Sequence, residues 1–254
     1  MRVYVKCLIL AVALWASNSW ANGQVRLAVA SNFLDVARSL GQQFTQETGI
    51  EVRISAASTG KLYAQIRNGL PVDIFMAADQ QRPQLLIEEG LADGATQWTY
   101  ALGELVLWVP GQQLASEQCL QWFLEQSTAQ HQGKVAMANP RTAPYGTAAQ
   151  SVMQAMQLQK PLEKRLILGE NIAQTYLFAD SGAAIAAWVA RSQWLKQQNK
   201  GCAWQPAADD YAELRQDAVV LNPAIDKPEV VQFVDWMQSP AVALRIQQAG
   251  YRAQ

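Results

Sequence analysis

Small hydroxyl and amide residues follow directly on apolar runs at two places early in the chain: Ser31-Asn32 after Val25 to Ala30, and Ser58-Thr59-Gly60 after Val52 to Ala57. If each run is a strand and the next segment a helix, the hydroxyls stand at a helix start. Backbone N–H groups there have no partner inside the helix and carry the positive end of its dipole. That is chemistry for holding an oxyanion. A third junction of the same kind lies at Asn139-Pro140-Arg141-Thr142-Ala143-Pro144-Tyr145-Gly146, where two prolines and a glycine fix a loop presenting Tyr145 and its amide. One such junction alone is ordinarily a helix cap. Two in consecutive units, at strand ends where open α/β sheets place ligands, point to one shared site.

Other chemistries lack their residues. The single histidine, His131, sits in the polar stretch Thr128 to Gly133 and reads as a solvated loop residue, which nearly excludes a His-based triad or a multi-histidine metal site. No Cys-x-x-Cys pair, P-loop or Gly-x-Gly-x-x-Gly is present, so no cofactor is implied. Asp79 has the chemistry of a general base, but its place before Gln80-Gln81-Arg82 is first that of a helix cap. Charged residues make up 16% of the chain, 20 basic against 21 acidic, which leaves no electrostatic footprint for nucleic acid or an acidic membrane face.

The elements that must position these residues alternate strand and helix. Val25 to Ala30, Glu51 to Ala57 and Asp73 to Ala77 read as strands. Phe33, Val36, Ala37, Leu40 and Phe44 mark the first helix, Leu62 and Ile66 the second, and Leu85, Leu86 and Leu91 the third. This grammar predicts a parallel or mixed sheet covered on both faces. Thr99 to Val109 stays extended for longer than one strand requires, and reads as the crossing into a second lobe near Gly103.

The second lobe repeats the pattern more weakly. Its expected elements are a helix over 117–126, a strand over 134–138, a helix after Gly146, a helix over 170–178 and a strand over 183–190. Trp194 to Gln205 reads as polar and exposed, and Ala218 to Leu221 as the strand that returns the chain to the first lobe. Two helices follow, built on Val230, Phe233 and Val234 and on Val242, Leu244 and Ile246. The expected division is 1–21 as a leader, 22–102 plus 217–254 as lobe 1, and 103–216 as lobe 2.

Residues 1–21 have the form of a secretory signal: Arg2 and Lys6, then the apolar run Cys7 to Trp15, then Ser19-Trp20-Ala21 as a small-x-small cleavage site. The expected location is therefore outside the cytoplasm, with cleavage near Ala21. Removal of Cys7 leaves Cys119 and Cys202, which an oxidising compartment allows to pair; two buried thiols are the alternative.

At these residues the sequence resembles the periplasmic molybdate-binding proteins, the substrate-binding components of molybdate ABC importers. The resemblance is carried by Ala30-Ser31-Asn32-Phe33, Ala57-Ser58-Thr59-Gly60, Tyr63 to Ile66, Asn68 to Phe75, Ala77-Ala78-Asp79, Tyr100 to Trp108, Ala143-Pro144-Tyr145-Gly146 and Gly250-Tyr251, which span almost all of the chain after the leader. It implies an α/β, two-lobed type II periplasmic binding protein fold, each lobe a mixed sheet flanked by helices, with the ligand in the interlobe cleft. It also implies a ligand set by position: Ser31, Asn32, Thr59 with Ser58 as the alternative register, Tyr145, and Ile172 through its backbone amide. Some members use instead a tyrosine from the strand after the Ile172 helix; Ala187-Trp188-Val189-Ala190 has no hydroxyl there.

The expected activity is capture of molybdate, and of tungstate of nearly the same size, by a monomer that hands it to a membrane permease. The molecule is a binding module on this reading. Two rivals are a binding protein for sulfate, phosphate or a small organic anion, and an exported enzyme using Asp79 or Tyr145 as acid or base in the same cleft.

Overall fold

The computed structural model describes residues 23–128 and 132–252. The expected leader 1–21 and His131 lie outside the described residues. Among those described, no helix is long and apolar enough to cross a membrane.

The strands are β1 (Gln24–Ala30), β2 (Glu51–Ala57), β3 (Ile74–Met76), β4 (Trp98–Gly103), β5 (Leu105–Pro110), β6 (Val135–Ala138), β7 (Leu166–Gly169), β8 (Ala186–Ala190), β9 (Gly201–Trp204) and β10 (Leu214–Val220). The helices are α1 (Leu34–Thr48), α2 (Thr59–Arg67), α3 (Gln81–Glu88), α4 (Ser116–Gln126), α5 (Pro144–Ala155), α6 (Gln159–Leu162), α7 (Ile172–Asp180), α8 (Arg191–Trp194), α9 (Pro228–Met237) and α10 (Pro240–Gln248).

Two five-stranded sheets result, ordered β2-β1-β3-β10-β4 and β7-β6-β8-β5-β9. They share one plan. In each, the three strands at one edge run parallel and the fourth is antiparallel to its neighbours. Parallel strands need helical crossovers, which cover both faces and bury the strands as near-continuous apolar runs. β1 and β6 show this, with Ala28 to Ala30 and Val135 to Ala138 all buried.

One face of the first sheet packs on α1, α9 and α10 through Leu27, Phe44, Ile74, Phe233 and Ile246; the other packs on α2 and α3 through Leu62, Phe75 and Leu86. The second sheet packs Trp188, Phe123 and Val152 on one side and Trp108 with Tyr176 on the other. Ala30 and Ala78 join the second lobe's apolar cluster, so the two lobes touch across the cleft.

The chain crosses between sheets at Glu104, which breaks the expected 99–109 run into β4 and β5, one in each sheet. It returns through residues 205–213. β10 pairs with β4 from Leu214↔Gly103 onward, so Gly103 and Leu214 to Gln216 belong to the first sheet, past the limits expected at 103 and 216. Apolar pattern marked only the Ala218 end, because Arg215-Gln216-Asp217 is polar.

Two strands went unexpected. β7 is a short edge strand whose Leu168 is half exposed, which hides its period. β9 lies inside the stretch expected to be exposed, yet Gly201 and Cys202 are buried because β9 pairs with β5 and Cys202 is bonded to Cys119 of α4. α5 begins at Pro144 rather than after Gly146, since proline at the first helical position costs no hydrogen bond and presets φ.

Candidate functional site

Four helices start at the carboxyl ends of parallel strands: α1 after β1, α2 after β2, α5 after β6 and α7 after β7. Bonds between the lobes bring these starts together. Gly60 N–H donates to the Thr142 carbonyl at 2.9 Å, joining the start of α2 to the loop before α5. Lys61 pairs with Glu170 at 3.6 Å, joining α2 to the residues before α7. Asn32 reaches Tyr145 through one intermediate side chain, Gln216. Two helix dipoles from each lobe therefore point into one cleft.

The expected residues stand at these helix starts, and all are buried: Ser31, Asn32, Ser58, Thr59, Tyr145 and Ile172. Their hydrogen bonds decide what each has left to give. Thr59 Oγ1 accepts from the Ala78 N–H at 3.0 Å, so its own hydrogen is free to donate. Tyr145 Oη accepts from Gln216 Nε2 at 3.2 Å and keeps its hydrogen in the same way. The Ser31 and Ser58 hydroxyls make no hydrogen bond among the described residues, and Ser58 is an N-cap whose side chain does not cap.

Asn32 is different. Both hydrogens of its amide are committed, to Gln216 Oε1 at 2.8 Å and to Tyr251 Oη at 3.2 Å, which leaves the backbone N–H as its spare donor. The Ser31 N–H is taken by the Ala57 carbonyl. At α7 the Asn171 side chain accepts from Ala173 and Gln174 N–H groups, and this cap leaves the Ile172 amide unengaged. Gly146 packs against the end of β6: a Cβ there would stand 2.3 Å from the Ala138 carbonyl oxygen.

Sequence reasoning passed over the polar layer behind the donors. Tyr100 Oη contacts the Ala77 carbonyl at 2.8 Å and Gln216 Oε1 at 3.0 Å. Tyr251 Oη donates to the Asn32 carbonyl and accepts from Ser192 Oγ. Tyr100, in the apolar run before Gly103, was the one of the three with a signal in its surroundings; Gln216 lies between Arg215 and Asp217, and Tyr251 before Arg252. Burial pushes the Tyr145 and Tyr100 hydroxyls well above the ordinary tyrosine range, and Tyr251 up to about 12, so all three keep their protons.

Two of the cations beside these helix starts are paired. Arg82 is paired with Asp79, and Lys61 with Glu170. Asp79 also accepts from the Arg82 N–H at 2.9 Å, so both its carboxylate oxygens are engaged by Arg82 and it acts as a helix-start cap. Among the described residues no group of His, Cys, Asp and Glu is placed to hold a metal ion. What the cleft offers is neutral donors: hydroxyls, amides and helix starts.

Two lobes joined by crossing segments, with helix starts from both aimed into the gap, define the type II periplasmic binding protein fold. The family model described as "Bacterial extracellular solute-binding protein" matches residues 25–252, and the chain belongs to that family. It is 35% identical over 231 residues to the molybdate-binding protein ModA of Rhodobacter capsulatus, covering 91% of this chain and 89% of that one. It is 36% identical over 233 residues to the molybdate-binding protein ModA of Azotobacter vinelandii, covering 91% and 90%. The solved structure of the Azotobacter vinelandii periplasmic molybdate-binding protein superimposes with a TM-score of 0.81 at 32% identity, covering 91% of this chain and 99% of that one.

Proposed function

We propose that this protein captures molybdate, and tungstate with it, by closing its two lobes over the anion, and delivers it to the membrane permease of an ABC importer. One observation carries the reading: neutral donors stand at four helix starts that bonds between the lobes draw together, in a chain about one third identical to proteins named as molybdate-binding. A tetrahedral dianion needs no guanidinium clamp when many amides and hydroxyls share its charge.

The donors in this proposal are the Ser31 hydroxyl, the Asn32 N–H, the Thr59 hydroxyl with Ser58 beside it, the Tyr145 hydroxyl and amide, and the Ile172 N–H. Ser31, Asn32, Ser58 and Thr59 belong to lobe 1, Tyr145 and Ile172 to lobe 2, so only closure completes the shell. The hinge is Glu104 together with residues 205–213. A cleft of donors rejects an anion that carries a proton, because the bound OH would face another donor and leave both unpaired. Sulfate is excluded by size alone.

The protein works as an exported monomer whose leader 1–21 is removed. The Cys119 to Cys202 disulfide supports export, since such bonds persist in oxidising compartments. The deciding experiment is calorimetry of the mature chain with molybdate, tungstate, sulfate and phosphate. Micromolar or tighter binding of the first two is expected. Binding of sulfate or phosphate with no response to molybdate overturns the reading, and turnover of a substrate would return the enzyme alternative.

A further inference from the structure

Gln216 is a fully buried amide on β10, the strand by which the chain re-enters the first sheet, and a β-bulge follows it immediately. It is bonded to both halves of the site. Its Oε1 accepts from Asn32 Nδ2 at 2.8 Å and lies 3.0 Å from Tyr100 Oη, both in lobe 1; its Nε2 donates to Tyr145 Oη at 3.2 Å in lobe 2. A buried polar side chain in a strand costs free energy unless paired, and here the pairing runs only to groups of the cleft.

A second feature points the same way. Gly103 of β4 lies directly beneath this pair: a Cβ there would come within 2.3 Å of Tyr145 Oη and 2.5 Å of Gln216 Nε2. Its φ is not in the left-handed region, so glycine stands at this crossing point for space rather than for backbone freedom. The space is filled by the Gln216 to Tyr145 hydrogen bond.

We propose that Gln216 is a positioning residue that couples β10, the strand next after the hinge, to the polarity of the site: by donating to Tyr145 Oη it makes that hydroxyl spend its lone pair on the protein and its hydrogen on the bound oxyanion. An amide is suited to this because it offers one donor face and one acceptor face. A carboxylate at the same place has only acceptors, and would draw the Tyr145 hydrogen toward itself and away from the ligand. The acceptor face is held by the Asn32 amide and faces Tyr100 Oη, which fixes the way the Gln216 amide points.

The inference rests on the proposed molybdate site, and calorimetry with molybdate tests it on the full mature chain. Gln216→Met, which keeps size and removes both faces, is expected to weaken binding about tenfold. In the Tyr145→Phe background the same change is expected to weaken it by no more than about twofold, because the group it acts through is gone. Gln216→Glu is expected to bind poorly at about pH 8 and to recover as pH falls toward about 5.5, since a protonated carboxyl again has one donor and one acceptor; the wild type, whose facing groups are Tyr100, Tyr145 and Asn32 with Asp217 next in the strand, stays flat.

Gly103→Ala should reproduce the Gln216→Met loss. Should Gln216→Met fail to fold, Gln216→Glu and Gly103→Ala decide. Binding equal to wild type in the Gln216 variants, or an equal loss with and without Tyr145→Phe, overturns the proposal alone. Failure of the wild type to bind molybdate overturns the functional reading and this inference with it.

Discussion

Thr59 and Ser31 are both expected ligands, yet only one of them also holds the protein together. Thr59 Oγ1 takes the Ala78 N–H, whereas the Ser31 hydroxyl has no partner among the described residues. Thr59→Ala should therefore weaken molybdate binding and lower the stability of the empty protein, each by about 1–3 kcal/mol, because a buried N–H is orphaned. Ser31→Ala should weaken binding by a similar amount and leave thermal unfolding of the empty protein unchanged. Calorimetry and a melting curve on the two variants separate the roles. The tyrosines give a second expectation. With burial holding the Tyr145 and Tyr100 protons well above the usual range, no group of the cleft changes charge near neutrality, and affinity should be flat from about pH 7 to about pH 9. A titration that breaks in that interval would place an ionisable ligand in the site.

Elements are tied to one another by two devices outside the cleft. Asp73, just before β3, accepts from the Arg26 backbone N–H and guanidinium of β1 and from Lys227 before α9, with its side chain 1% exposed. Burial pushes its carboxyl up, but the hydrogen bonds from Arg26 and Lys227 outweigh burial and hold it below the usual range. The sign follows: this stabilisation is complete above the unfolded carboxyl value of about 3.9 and is lost as pH falls through the lower folded value. Asp73→Asn should flatten the acid limb of unfolding below about pH 4. The disulfide fastens β9 to α4 across 83 residues; Cys119→Ser with Cys202→Ser is expected to cost about 2–5 kcal/mol in a denaturant titration. The first lobe was readable in the sequence because its strands and helices are long and periodic, as in Val25 to Ala30 and Leu34 to Phe44. β7 and β9 were not, since β7 is an edge strand with Leu168 half exposed and β9 is buried by pairing and a covalent bond rather than by apolar composition. The junction residues were legible from type and place, but Gln216, Tyr100 and Tyr251 act through partners distant in sequence, which spacing cannot show.

At the scale of the molecule, closure is held at its margins by contacts that are individually small. Lys61 with Glu170 and Lys196 with Asp35 bridge the lobes as exposed pairs, each worth about 0–1 kcal/mol and screened by salt. Release of molybdate should quicken only a few fold between about 0.05 and about 0.5 M salt, as stopped-flow intrinsic fluorescence would report through tryptophans such as Trp188 and Trp204 in the moving lobe. The ring of neutral donors has an electrical consequence of its own. With nothing in it to give up or take on a proton, a molecule that has taken its cargo differs from an empty one by two full negative charges, uncompensated. Filled and vacant protein should then run as separate bands in a native gel, the filled one nearer the anode, and elute in that order from a strong anion exchanger.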